Sequence, residues 1–328
     1  MRRLWARGKA ARAAVRVARR GVQFGAGGKI EVATPVKPAW FDYYAPRSVD
    51  EALRILDDAG RDGRVLAGGQ SLMPMLNLRV VSPAALVDIN RIEALDRLHV
   101  GSDGLIVGAL VRHADILRNA ALREGWPLLA EATSLVAHPA IRNRGTVCGS
   151  LAHNDPAAEH PSVLVTLDGT VVVAGRGGRR EVPAETFFTG MLSTALEPGE
   201  MVVEVRYPRP PAGTGTAFVE FARRLGDFAI AGAAAMLTVR DGVCERARLT
   251  IVGMGEGPFR ARAAELALTG RRLARNGHED AFAEAVAKVV EAVNPSNDVH
   301  ASAAYRRHLA GVMARRALDA ALARAGGV

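Results

Sequence analysis

Apolar and polar positions change rhythm several times along the chain, and each change marks an element. Leu53, Leu56 and Ala59 recur at helical spacing behind Ser48, with Glu51 three residues on, which predicts a capped helix from Ser48 to Ala59. Arg61-Asp62-Gly63-Arg64 reads as a turn, Val65-Leu66 as a strand, and Ala84 to Ile89 as a second short strand. These make a small unit over residues 37–91. Residues 92–212 form a second unit. Strands are expected there at Leu105–Ala109, Thr170–Ala174 and Met201–Val205, and helices at Ala114–Ala121 and Leu128–Ala137. Val163 to Leu167 should continue a helix begun after Pro161. Pro208 to Gly215, with three prolines and two glycines, reads as the linker to a last unit over 213–328.

That last unit has its own pattern. Apolar runs at Ala231–Arg240 and Val243–Val252 flank Asp241-Gly242, a hairpin signal because both turn positions need positive φ. Helices should follow at Ala261–Leu268, Asp280–Val293 and Ala301–Arg324. On the final helix Tyr305, Leu309, Val312, Met313 and Ala317 share one face, while Arg306 and Arg307 are expected on a solvated or interface face.

Composition narrows the possibilities. The chain has 328 residues, is 49% hydrophobic and 23% charged, and contains no uncharged apolar run near membrane-spanning length. Its net charge of +9 is unevenly spread: residues 1–36 hold nine basic residues and one acid, so eight of the nine net charges lie in that extension. The remainder is close to neutral, which argues against a nucleic-acid-binding fold. Arg2-Arg3 suggests a twin-arginine signal, but Arg12 and Arg16 interrupt the apolar stretch such a signal needs, and the absence of serine weighs against a transit peptide. A loosely helical or disordered extension is expected instead. The two cysteines, Cys148 and Cys244, are too few for an iron–sulfur cluster and imply no disulfide framework, consistent with a cytoplasmic protein.

The candidate chemistry lies in two glycine loops, Ala67-Gly68-Gly69-Gln70-Ser71 and Gly145-Thr146-Val147-Cys148-Gly149-Ser150. Each ends in a hydroxyl residue, and glycine lets a backbone approach a phosphate without an intervening Cβ. Together they suggest amide groups converging on one diphosphate. No lysine follows the glycines as a nucleotide-hydrolysing loop requires. Behind the second loop, His153, Asp155, Glu159 and His160 have spacing that permits a metal site, but Pro156 and Pro161 should break the helix that would align them.

With these loops, Pro38 to Pro46, Arg223-Arg224-Leu225-Gly226-Asp227-Phe228-Ala229 and His300 to Leu309, the chain resembles the FAD-binding medium subunit of the molybdenum hydroxylases. This is the group of the carbon monoxide and xanthine dehydrogenases. The resemblance implies an α+β protein: a two-part FAD-binding domain of the PCMH type, then a smaller C-terminal α/β domain with an antiparallel sheet and helices. It implies that both loops hold the FAD pyrophosphate, with hydroxyls from Ser71, Thr146 and Ser150. It places Ala137, Asp155, Glu159 and Val202 in the flavin site, and Phe228 as a shield over the isoalloxazine. Where the family usually has Gly-Gly this chain has Cys148-Gly149. Ordinary extended backbone there would tolerate the cysteine; the alternative is a thiol of lowered pKa beside the pyrophosphate.

The implied role is electron transfer. A small subunit with [2Fe–2S] clusters and a large subunit with molybdopterin would be the partners, in a dimer of heterotrimers. Electrons would pass from the clusters to FAD and on to an external acceptor, with no catalytic residue in this chain. Two other classes remain at this level: a stand-alone flavin oxidoreductase of the same architecture, and a non-catalytic nucleotide-binding assembly protein.

Overall fold

Alternation along a single strand organises the last third of the chain. In the computed structural model, which describes residues 37–273 and 279–326, β12 (Ala231–Arg240) is buried on both faces. Ala234 and Met236 point into one apolar cluster; Ala233, Ala235 and Leu237 point into another. A strand sends successive side chains to opposite faces, so this one strand belongs to two cores.

The chain reaches that strand through three layers. The first is a small parallel sheet of order β1-β3-β2, made of β1 (Asp42–Tyr44), β2 (Gly63–Leu66) and β3 (Ala85–Asp88). It carries α1 (Val49–Ala59) and α2 (Leu72–Asn77). Ser48 caps α1 as the sequence predicts, its Oγ accepting from the Glu51 amide at 3.2 Å. The returning Glu51 carboxylate accepts instead from Arg47 N at 3.0 Å, one residue before the expected donor.

The second layer is an antiparallel sheet of order β4-β5-β10-β6-β7. Its strands are β4 (Leu98–Val100), β5 (Gly104–Gly108), β6 (Thr170–Gly175), β7 (Gly178–Pro183) and β10 (Met201–Pro208). Between β5 and β6 run six helices: α3 (His113–Arg118), α4 (Ala120–Gly125), α5 (Pro127–Leu135), α6 (Pro139–Arg142), α7 (Val147–His153) and α8 (Glu159–Thr166). Short α9 (Ala184–Phe187) precedes a hairpin of β8 (Phe188–Gly190) and β9 (Ser193–Thr194). The helix expected to start after Pro161 begins at Glu159. Pro161 does not break it, because in a first turn the missing N–H has no partner to lose.

The third layer is the antiparallel sheet of β11 (Thr214–Phe221), β12, β13 (Val243–Val252) and β14 (Phe259–Arg260). The linker is therefore shorter than read from the sequence, since β10 runs to Pro208 and β11 begins at Thr214. Asp241 and Gly242 take φ of 50° and 72°, the left-handed pair the tight hairpin requires. Helices α10 (Arg262–Leu268), α11 (Glu279–Ala292) and α12 (Ala303–Arg324) cover one face. Small residues on the sheet admit α12 closely: a Cβ at Gly215 would strike the Ala321 carbonyl.

The other face of this sheet packs on the helices of the second layer. Thr166 Oγ1 donates to Thr250 Oγ1 at 2.8 Å, and the Phe218 amide donates to the Glu131 carboxylate at 3.0 Å. Asp168 at the end of α8 is paired with Arg246, Arg248 and Arg260 of the third sheet. Arg306, expected on a solvated or interface face, is instead buried within the chain: it donates to the Ile230 carbonyl at 2.6 Å and to Asp298 at 2.5 Å. A carbonyl left at the entry to β12 needs a donor, and the guanidinium supplies it. Among the described residues no helix is long and apolar enough to cross a membrane. The basic extension over residues 1–36 lies outside the described residues.

Candidate functional site

The two glycine loops meet backbone to backbone. A Cβ on Gly68 would strike the Arg144 carbonyl and stand 2.8 Å from Gly145 Cα, so only glycine permits this approach. Gly69 has φ of 73° and turns the chain from β2 toward α2, where Gln70 folds back to donate to the Gly68 carbonyl at 3.1 Å. The contact lies along a cleft of about 1410 Å³ between the first two layers.

One side chain braces both loops. Arg112 donates to the Arg144 carbonyl and to Asn90 Oδ1, each at 2.6 Å. Asn90 in turn donates to the Ala67 carbonyl at 2.9 Å and to Asp88 Oδ1 at 2.6 Å. Tyr43 closes the chain by donating to Asp88 Oδ2 at 2.5 Å. Hydrogen bonding from Tyr43 and Asn90 keeps the Asp88 carboxyl below its ordinary pKa against the opposing effect of burial. The sequence reading missed Asn90 and Arg112.

The second loop is the start of a helix. Thr146 caps α7, its Oγ1 accepting from Gly149 N at 3.0 Å. A Cβ on Gly149 would stand 2.7 Å from that same oxygen, which explains the glycine through the cap. Cys148 is helical rather than extended and needs no positive φ. Its Sγ faces the Val107 carbonyl at 3.5 Å, and burial pushes the thiol pKa up, so the reading of an activated thiol is corrected. Val147, expected at the site, turns into the core and does not line the cleft. The other expected positions all line it: Ala67 to Ser71, Ala137, Gly145, Thr146, Cys148, Gly149, Ser150, Asp155, Glu159, Val202 and Phe228.

On the cleft wall Ala137 has φ of 41°, an unusual value for a residue with a side chain, and Arg142 donates to its carbonyl at 2.9 Å. Gly226 of the third layer seats directly on this loop, because a Cβ there would lie 2.5 Å from His138 Cε1. Asp227 and Phe228 follow on the cleft wall, and Phe228 is 66% exposed rather than part of the core. Gly60, Arg61, Arg64 and Val81 also line the cleft.

Behind the second loop, Asp155 Oδ1 accepts from Ala157 N at 2.9 Å and shapes the turn into α8. Glu159 is only 6% exposed. Burial, then the nearby Glu220 charge, pushes its pKa up to about 8, so at neutral pH it is a protonated carboxyl. His160 does not join Asp155 and Glu159 in a metal cluster. It pairs with His113 across a 3.0 Å N···N contact, and among the described residues no three side chains of metal-ligand type come together. Two loops drawn together by their glycines, hydroxyls beside them and a cleft of this volume fit a dinucleotide.

Comparison with known proteins gives this geometry a family. Residues 39–210 match the FAD binding domain in molybdopterin dehydrogenase, and residues 216–321 match the CO dehydrogenase flavoprotein C-terminal domain. The chain is 43% identical to the 6-hydroxypseudooxynicotine dehydrogenase complex subunit alpha of Paenarthrobacter nicotinovorans, covering 88% of this chain and 97% of that one. It is 37% identical to the carbon monoxide dehydrogenase medium chain of Hydrogenophaga pseudoflava, over 88% and 99% of the two chains. The solved carbon monoxide dehydrogenase from Hydrogenophaga pseudoflava, in a form lacking the Mo-pyranopterin moiety, superposes with a TM-score of 0.85 at 38% identity, covering 88% of this chain and 99% of that one. Quinoline 2-oxidoreductase from Pseudomonas putida 86 does so with a TM-score of 0.82 at 37% identity, over 88% and 99%. The α+β architecture, the FAD-binding part and the antiparallel C-terminal domain thus agree with the sequence reading, and the chain belongs to the FAD-binding medium subunits of the molybdenum hydroxylases, as the flavoprotein component of an oxidoreductase.

Proposed function

We propose that this chain is the electron-relay subunit of a three-component complex, with an iron–sulfur small subunit and a molybdopterin large subunit as partners in a dimer of heterotrimers. The observation that carries the reading is the backbone contact of Gly68 with Arg144 and Gly145 along the cleft. Bound FAD would supply the redox chemistry, taking electrons singly from [2Fe–2S] clusters of the small subunit and delivering them to an external acceptor.

The residues of this chain bind, orient and shield. Backbone amides of both loops, with the hydroxyls of Ser71, Thr146 and Ser150, would hold the diphosphate. Protonated Glu159 can donate to a ring or ribityl acceptor, and the apolar side chain of Val202 offers a wall without competing hydrogen bonds. Phe228 would cover the ring on the stretch of cleft wall where Gly226 seats on the loop at 137–138. A cytoplasmic setting belongs to the same reading.

The test is purification of the full chain, alone and with its partners. The chain should carry a flavin absorption band and release FAD rather than FMN, and the assembly should contain iron and molybdenum. Substrate added to the assembly should bleach the flavin band. Oxidation of an organic substrate at enzymatic rates by the isolated chain would overturn the relay reading.

A further inference from the structure

Two buried histidines meet behind the second glycine loop, and the flavin reading gives them no role. His160 on α8 is fully buried, and its Nε2 lies 3.0 Å from Nδ1 of His113, with the ring planes nearly parallel at 10°. His160 Nδ1 has no hydrogen-bond partner among the described residues. His113, at the start of α3, is 4% exposed and lines the cleft. Its backbone amide donates to the Gly145 carbonyl at 3.0 Å, which fixes the residue to the loop. Its Nε2 makes no hydrogen bond to any described residue. A Cβ on Gly145 would stand 2.9 Å from that nitrogen, so the glycine keeps its surroundings open.

One proton sits between the two rings, and there are two ways to place it. If His113 Nδ1–H donates, His160 must carry its other proton on Nδ1, an N–H buried with nothing to receive it. If His160 Nε2–H donates, the buried Nδ1 is only an unpaired acceptor, and His113 carries its proton on Nε2. Orphaned buried N–H groups are the rarer and costlier defect, so the second arrangement is favoured. Neither ring is charged at neutral pH: burial together with Arg142 and Arg112 lowers the His113 pKa to about 4, and burial also lowers that of His160.

We infer that His113 presents Nε2–H to the cleft as a neutral donor of fixed tautomer for the diphosphate of the bound dinucleotide, with His160 as the positioning residue that sets the tautomer. The inference rests on the flavin reading and adds a side-chain donor to the loop amides. A tautomer locked from behind would keep the donor aimed at an anion at every pH where the protein is folded and the rings are neutral.

The test uses the full chain labelled with 15N-histidine, with the His113 and His160 signals assigned from the His113→Gln and His160→Gln spectra. In the flavin-free protein both rings should show the Nε2–H pattern, and adding FAD should shift the His113 Nε2–H proton. His113→Phe should raise the Kd for FAD about tenfold or more, the loss expected for one hydrogen bond to a charged group, and His113→Gln should recover part of it. An Nδ1–H pattern on either ring would overturn the inference, as would FAD binding that leaves the His113 signal unmoved. Failure of the wild-type chain to bind FAD at all would instead overturn the flavin reading on which it rests.

Discussion

The guanidinium of Arg112 lies 2.6 Å from Asn90 Oδ1, and this contact ties two loops that belong to different layers. Asn90 hangs from the first layer beside the Ala67 carbonyl, and Arg112 reaches from the second to the Arg144 carbonyl. Asn90→Ala should therefore loosen the spacing of the loops without touching the core. The expected result is a FAD affinity weaker by about 5- to 30-fold, read by titrating the flavin-free chain and following flavin fluorescence.

Gly68 and Gly69 should fail for different reasons. Gly68→Ala pushes a methyl into the Arg144 carbonyl, so it should separate the loops and abolish FAD retention. Gly69→Val forces a β-branched residue to φ of 73°, a strain of roughly 1–3 kcal/mol independent of any ligand. Its Cβ would meet Leu66 and Met73 at 3.1 and 3.2 Å. Thermal unfolding of the flavin-free proteins checks both: Gly69→Val should lower the Tm through backbone strain and crowding against Leu66 and Met73, and Gly68→Ala through its clash with the Arg144 carbonyl.

Glu159 gives a pH dependence of definite sign. Its pKa is raised in the folded protein to about 8 from an ordinary 4.5, so the folded state binds a proton that the unfolded state has lost. The stability it contributes is fully present below pH 4.5 and is lost as pH rises toward 8. His113 acts oppositely: its pKa is lowered from 6.5 to about 4, so its contribution is present above pH 6.5 and is lost as pH falls toward 4. Glu159→Gln should shrink the alkaline decline in Tm, with half-buried Glu220, its own pKa raised to about 7, supplying a remainder of the same sign, and should leave the acid limb in place. An unchanged alkaline limb would mean the carboxyl ionises freely in the folded protein.

Phe228 is exposed and holds little of the fold together, so Phe228→Ala should change Tm by no more than about 0.5 kcal/mol equivalent. Its effect should appear at the cofactor. Iodide should quench the flavin fluorescence of the variant more strongly than that of the wild type. Equal quenching would show that the phenyl ring does not cover the isoalloxazine.

The legible parts of this chain were those set by local rules. Ser48 announced its helix through a hydroxyl and a carboxylate three residues apart, and Asp241-Gly242 announced its hairpin because few other pairs tolerate that backbone. The glycine loops were visible for the same reason, although the reason for Gly149 turned out to be the Thr146 cap. Elements whose environment is supplied by distant chain were not legible. Arg306 reads as a cation on a solvated or interface face, because the Ile230 carbonyl that receives it lies 76 residues away in the chain. Asn90 and Arg112 carry no spacing signal, since they meet only because two layers pack. His160 and Val147 likewise face partners or core that no local pattern names.

The seating of Gly226 on His138 has a consequence for anyone who builds chimeras from these subunits. The obvious place to exchange C-terminal domains is the short linker between β10 and β11, where few side chains are committed. A swap there would still carry the 226 loop of one parent onto the 136–138 loop of the other, and since any Cβ at position 226 would come within 2.5 Å of His138 Cε1, the fit leaves no room for mismatch. The two segments form a single fitting split across the linker, so a working hybrid must inherit both from the same parent.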